Sequence, residues 1–310
     1  PVRLNDCHIR DLVAEQGLGV SAETVRTIRR ELGLAPKRWR RPARYHRRRE
    51  REAQRGAMVQ IDGSPYRWFG PDQPEYSLVG TLDDASGEPL SAAFRPEEDL
   101  HGFTVALRDL ITAHGVPPVL YGDRTGIAVR NDSHWSREEE FAGRQHPTHF
   151  GAMLEELGIR YIGAHSPEAK GRIERSWQTF QDRLVAEFAL HGITDPQAGE
   201  RFLPGFFARY RGWFGQPPRA SGTAFRPAPR HLDRILSCRY PRVVARDNTV
   251  SIPGRRVQIP PGPRRASWYR RQVEVRELLD GRLLVLHEGR VIAEEAAPPG
   301  PFHLRPRGSQ

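Results

Sequence analysis

Asp62, Asp123 and Glu174 are the residues of this sequence best suited to do chemistry together. Asp62 closes the apolar run "MVQID" and Asp123 closes "VLYGD". Glu174 lies in "SPEAKGRIERSWQTFQDRL", at the margin of a helical stripe formed by Ile173, Trp177, Phe180, Leu184 and Phe188. Two strand-end acids and one early-helix acid can meet at one end of a sheet although they are far apart in the chain. Three carboxylates gathered without cations repel one another, so such a site calls for divalent metal; hard oxygen donors suit Mg²⁺, with Mn²⁺ able to substitute. Two such ions about 4 Å apart can activate an attacking oxygen and stabilise a leaving one during in-line displacement at phosphorus. Each acid alone also has an ordinary reading, as a turn residue or, for a Glu flanked by Arg172 and Arg175, as a surface ion pair. Among the nearby acids, Asp83 and Asp84 fit hairpin-turn chemistry and Glu168 fits the negative first turn of a helix.

The elements that must position these acids follow from hydrophobic periodicity. "MVQID", "YSLVGTLD" and "PLSAAF" read as strands, with "DASGE" as the turn between the last two. Leu100, Phe103, Leu107, Leu110 and Ile111 mark a helix closed by "HGVPP", and "VLYGD" follows as a strand. Phe150, Met153, Leu154 and Leu157 then mark a helix, "IRYI" a strand, and the Glu174 segment the last helix. That order, over residues 56–200, is the order of an RNase H-like core, a mixed α/β layer in which a sheet is flanked by helices.

The flanks carry the basic charge. Residues 1–35 read as a helix-turn-helix whose second helix would present Thr24, Arg26, Thr27, Arg29 and Arg30 to a major groove; an ordinary helical hairpin with a charged face is the alternative. The apolar faces are Ile9, Leu12 and Val13 in the first helix and Val25, Ile28 and Leu32 in the second, with Ser21 as N-cap. Residues 36–55 form a basic linker in which Lys37, Arg38, Arg40, Arg41, Arg44, Arg47 and Arg48 are interleaved with Trp39 and Tyr45, a pattern suited to tracking phosphates. Residues 201–232 read as a helix and then a Pro/Arg-rich linker. Short β-branched runs over 233–310 are expected to form a small β-barrel of the SH3 kind. The chain starts at Pro1 without Met and is expected to lack part of its N-terminus.

Composition narrows the classes. The chain has 310 residues, 37% of them hydrophobic, and a formal net charge of +10, which points to double-stranded DNA as the partner. With Cys7 and Cys238 as its only cysteines it has neither a disulfide framework nor a cysteine-based zinc module. No apolar run is long enough to span a membrane and no signal peptide opens the chain, so a cytoplasmic location is expected. Lys occurs only at 37 and 170, so the ammonium of Lys170 beside Glu174 stands out in an Arg-rich chain. His134, His146, His149 and His165 precede the last helix and read as polar loop residues, with metal ligation as the alternative.

"VQIDGSPYRWF", "LYGDRTGIA" and "SPEAKGRIERSWQTFQDRL" resemble the three acidic blocks of bacterial insertion-sequence transposases with a retroviral-integrase-like core, nearest the ISNCY group. The likeness covers most of the chain, and "KGRIER" is its most specific part. It implies that Asp62, Asp123 and Glu174 are DDE ligands for two Mg²⁺ ions and that Lys170, Arg172 and Arg175 contact DNA near the scissile phosphate. It also implies that Trp68 packs close to the first Asp. The implied reaction is hydrolysis at transposon ends followed by attack of the freed 3′-OH groups on target DNA, by a homodimer or larger assembly at the bacterial nucleoid. The 50-residue spacer between Asp123 and Glu174 is longer than in many integrase-like cores, and the integrase His/Cys zinc module is absent. A transposase-derived regulator without activity, and a nuclease without strand transfer, are the alternatives.

Overall fold

The computed structural model describes residues 4–35, 50–123, 126–130, 135–143, 145–164, 171–262 and 266–304. Two short helices come first, α1 (Asp6–Glu15) and α2 (Ala22–Glu31), joined through Gly17 at φ +84°. Asn5 caps α1 by accepting the His8 N–H, and Ser21 caps α2 by accepting that of Thr24. The expected apolar faces are used only in part. In α2 Val25 is buried but Ile28 and Leu32 stay exposed, and α1 buries His8 and Asp11 rather than Ile9, Leu12 and Val13, because the surface it docks on is ionic.

The central layer follows: β1 (Gln54–Arg55), β2 (Val59–Tyr66), β3 (Tyr76–Asp83), β4 (Pro89–Arg95), α3 (Leu100–His114), β5 (Val119–Gly122), α4 (Arg137–Ala142), α5 (His149–Glu156), β6 (Arg160–Gly163), α6 (Ile173–Leu190) and α7 (Pro196–Phe214). The five-stranded sheet has the order β4-β3-β2-β5-β6. β2, β3 and β4 form an antiparallel meander, whereas β5 and β6 add in parallel, each after a helical crossover as parallel pairing requires. This is a mixed α/β layer with the strand and helix order read from the sequence, except that the short helix α4, started by a Ser136–Glu139 capping box, was not expected.

Period-two alternation divides the strands between two cores. On one face Val59, Ile61, Val79 and Leu120 pack with Leu107, Leu110, Phe150 and Met153 of α3 and α5. On the other, Leu78, Leu82 and Phe94 pack with Phe180, Leu184 and Phe188 of α6 and with Leu203 and Phe206 of α7.

The Pro/Arg-rich stretch after α7 is laced to this layer: β7 (Ala220–Thr223) pairs in parallel with β1, and Arg226 bridges to Val116. Beyond it come α8 (Leu232–Ile235), β8 (Ser237–Val243), β9 (Thr249–Ile252), β10 (Arg255–Gln258), β11 (Gln272–Leu278), β12 (Leu283–His287) and β13 (Arg290–Glu295). The expected barrel does not close. Among the described residues these strands form an open sheet, β13-β12-β11-β8, and a separate β9–β10 hairpin. Pro260 and Pro261 follow β10 and Pro298 and Pro299 follow β13; without N–H groups they cannot extend a closing ladder. The module sits on α5, where Arg276 reaches Glu156 at 3.2 Å and the Arg239 N–H donates to His149 Nδ1 at 3.3 Å. Among the described residues no helix is long and apolar enough to cross a membrane.

The end of the described chain returns to α3, where the Leu304 N–H donates to His101 Nδ1 at 3.2 Å. An accepting nitrogen requires a neutral ring, and burial, aided by Arg95, lowers the His101 pKa from 6.5 to about 4. A depressed folded-state value means that the unfolded chain takes up the proton first, so the contribution is complete above the ordinary value and is lost on acidification. Limited proteolysis of the C-terminal tail should therefore accelerate as pH falls from 6.5 towards about 4, and His101→Asn should abolish that pH dependence.

Candidate active site

Helix α6 lies along β2 and is fastened to the sheet at regular intervals. Arg172, at its N-cap, pairs with Asp84 at 2.6 Å; the Trp177 Nε1–H donates to Asp62 Oδ2 at 3.2 Å; the Gln181 amide donates to Ser64 Oγ at 3.1 Å. Four helical residues rise about 6 Å and two strand residues about 6.6 Å, so Trp177 and Gln181 meet Asp62 and Ser64 without strain. Asp84 is wholly buried and also accepts from Gln60 Nε2 at 2.6 Å and from the Glu52 N–H at 2.9 Å. It thus ties the start of α6 to β2 and to the chain entering the layer. Its neighbour Asp83 does the hairpin work expected of it, accepting from the Ser86 N–H at 2.8 Å.

The parallel register pairs Val59 with Leu120 and Gln60 with Tyr121, and beyond these pairs the two segments stay close, with Asp62 inside β2 rather than at its expected end and Asp123 just past the end of β5. Gly122 permits this close approach: a Cβ there would fall 2.9 Å from the Ile61 carbonyl and 2.6 Å from the Tyr161 hydroxyl. The Tyr161 hydroxyl donates to the Asp123 carbonyl at 2.5 Å. Burial first, then the carboxylates of Asp123 and Asp62, push the phenol above its ordinary range, so it remains a donor. Glu174 is in the first turn of α6, where the helix dipole favours a negative charge, and one turn before Trp177. Asp62 is half-buried, and Asp123 and Glu174 are exposed.

The fold therefore carries Asp62 and Asp123 on the neighbouring strand segments of β2 and β5 and sets Glu174 on the helix bonded to Asp62. Among the described residues no three His, Cys, Asp or Glu side chains are grouped closely enough to hold a metal ion. The residue types, all oxygen donors beside an open surface, fit a hard divalent cation.

The chain is 35% identical over 278 residues to a putative transposase, y4bF, of Sinorhizobium fredii (strain NBRC 101917 / NGR234), an overlap of 88% of this chain and 59% of that protein. It is 31% identical over 203 residues to the transposase for insertion sequence IS1202 of Streptococcus pneumoniae, covering 66% of this chain and 42% of that one. The chain is a relative of bacterial insertion-sequence transposases. It spans about half the length of these curated relatives. No family model matches it. Among solved structures, the HTLV-2 integrase catalytic core domain in complex with magnesium is 16% identical with a TM-score of 0.36, covering 49% of this chain and 84% of that one. A simian T-cell lymphotropic virus intasome in complex with PP2A regulatory subunit B56 gamma is 15% identical with a TM-score of 0.37, covering 88% of each chain. Scores this low do not assign a fold.

The residues expected to meet DNA are disposed unequally. Thr24, Thr27 and Arg30 are exposed on α2, but Arg29 donates to Asp6 at 2.7 Å and to the Leu34 carbonyl at 2.7 Å, and Arg26 pairs with Glu23. Arg29 lowers the Asp6 pKa. Arg175 is exposed, whereas Arg172 is bound to buried Asp84. Lys37, Arg38, Arg40, Arg41, Arg44, Arg47, Arg48 and Lys170 lie outside the described residues, as do His134, His165 and Glu168. His149 is buried against Tyr240. The indole bonded to Asp62 belongs to Trp177; that of Trp68 donates to the Ser64 carbonyl at 3.1 Å. Sequence reasoning assigned Trp177 to the apolar stripe alone. A residue able both to pack and to donate, one turn from a candidate acid, was the available signal.

Removing the Arg172 guanidinium should cost about 2 to 3 kcal/mol, below the usual range for a broken buried pair because Asp84 keeps its other donors. Arg175→Ala, at an exposed position, should stay within about 0.5 kcal/mol. Urea unfolding of Arg172→Ala and Arg175→Ala followed by tryptophan fluorescence checks both, and equal effects would contradict the assignment of Arg172 as an anchor.

Proposed function

We propose that this chain is the catalytic part of a DDE transposase, with an RNase H-like core, an N-terminal helix-turn-helix that reads transposon ends and a C-terminal β module that assists DNA binding. The observation that carries the proposal is the placement of Asp62 on β2 and of Asp123 just past the end of its parallel neighbour β5, with Glu174 on the helix that bonds Asp62. The relation to insertion-sequence transposases supports it.

Asp62, Asp123 and Glu174 would hold two Mg²⁺ ions. Bound there, the ions supply activation of the attacking oxygen and neutralisation of charge on the leaving oxygen. The protein's own contribution is placement. Trp177 orients the Asp62 carboxylate, and Tyr161 fixes the backbone at Asp123. Exposed Arg175, with Lys170, would take DNA phosphates beside the acids. Water first breaks a phosphodiester at the transposon end and leaves a 3′-OH. That hydroxyl then attacks a target phosphodiester, exchanging one P–O bond for another with no covalent enzyme intermediate. Joining two ends to one target requires at least a dimer on DNA.

Labelled DNA carrying the inverted repeats that flank the gene, incubated with protein and Mg²⁺, tests this reading. Wild type should cleave and join; Asp62→Asn, Asp123→Asn and Glu174→Gln should each fall to the uncatalysed background while still binding ends. Cleavage without joining would identify a nuclease, binding without chemistry in wild type a regulator, and full activity of Glu174→Gln would remove that ligand.

A further inference from the structure

We infer that Trp177 is a positioning residue for the cation site, its indole N–H presetting the Asp62 carboxylate while its helix carries Glu174. The inference rests on the proposed DDE reading and concerns how the site is built. Asp62 lies directly across from Gly80 in the β2–β3 register. A Cβ at Gly80 would fall 2.9 Å from the Trp177 ring atom Cη2 and 2.9 Å from the Ala92 Cβ. The missing side chain therefore opens a slot on β3 for the distal edge of the indole, from which Nε1 reaches Asp62 Oδ2 at 3.2 Å. Phe180, one turn on, meets the ring edge-on with centroids 5.4 Å apart and restricts its tilt.

A tryptophan needed only for packing would not have to aim its sole polar atom at a carboxylate. An indole N–H is a donor and nothing else, so it can orient a carboxylate without competing for a cation. The bond also makes two elements interdependent: any shift of α6 that moves Glu174 also pulls on Asp62. Outer groups that orient metal ligands typically change metal affinity by about 10- to 100-fold when they are removed.

Isothermal titration of Mn²⁺ into the full chain without DNA tests the inference, with end-DNA binding and single-turnover cleavage as further readouts. Trp177→Phe keeps a ring in the slot and removes the donor. Replacing Trp177 by benzothienylalanine keeps the bicycle and puts a sulfur in place of the N–H, which separates the hydrogen bond from packing should the Phe variant fold poorly. Either change should weaken Mn²⁺ binding by about tenfold and lower kcat, with KM for end DNA unchanged and with activity restored by excess Mn²⁺. Asp62→Asn should bind far more weakly and resist rescue. If Asp62→Asn loses Mn²⁺ while the benzothienyl variant binds like wild type, the role of Trp177 is refuted and the DDE reading stands. If Asp62→Asn itself binds like wild type, the ligand assignment fails, and the inference fails with it.

Discussion

The polar seam between α6 and the sheet, Arg172 to Asp84, Trp177 to Asp62 and Gln181 to Ser64, is the constraint on which the candidate site depends. Adhesion and register have different sources here. Burying Ile173, Phe180, Leu184 and Phe188 contributes about 1.5 to 3 kcal/mol per side chain, far more than the net 0.5 to 1.5 kcal/mol of an ordinary hydrogen bond. Apolar contact is non-directional, however, and a helix sliding by one turn along β2 would keep much of it. Hydrogen-bonded partners do not tolerate that slide, because a buried donor or acceptor left unpaired costs about 1 to 3 kcal/mol. The apolar stripe therefore attaches α6, and the polar seam determines which residue stands beside Asp62.

The opposite side of the same helix carries α1. Arg183 pairs with Asp11 at 2.7 Å and His8 meets Glu187 at 3.2 Å, with Arg209 of α7 also bound to Glu187 and the Arg183 guanidinium 4.6 Å from the Trp213 ring centroid. Buried ion pairs such as these contribute little net stability against an apolar alternative, but breaking one side is expensive. Their consequence is orientation. α6 is consequently gripped from two sides, by the sheet through Asp62 and Asp84 and by the N-terminal helices through Asp11 and His8.

What could be read from the sequence follows from this division. Periodicity records burial, so the strand order, the helices at 100–114 and 173–190, and the placement of Asp123 and Glu174 at element ends were legible, whereas β2 runs on past Asp62 to Tyr66 because Gly63 to Tyr66 keep pairing with β3 without an apolar alternation to mark it. Ser21 as N-cap was legible too, since capping is a local interaction. Polar side chains that find distant partners leave no periodic trace. Arg172 looks like a DNA-facing cation until Asp84, remote in sequence, is found beneath it. The inward face of α1 was misassigned for the same reason, because its seat consists of charges on α6. The β module was read as closed because short β-branched strands imply a sheet without saying whether its edges meet, and the prolines after β10 and β13 were the overlooked signal.

The charges left around the acids explain why this arrangement waits for partners. Near the start of α6, Arg51, Arg172 and Arg175 are close enough that burial and the two other guanidinium groups lower the Arg51 pKa. The members of this positive group destabilise one another. Asp84 offsets part of the positive group, and its side chain is already shared among Arg172, Gln60 and the Glu52 N–H. Under the proposed function a polyanion beside the arginines would relieve that repulsion, and divalent cations held by the carboxylates would attract the same polyanion. Either ligand therefore makes the surface more favourable for the other, which couples cation binding to DNA binding through electrostatics alone, without a change of fold.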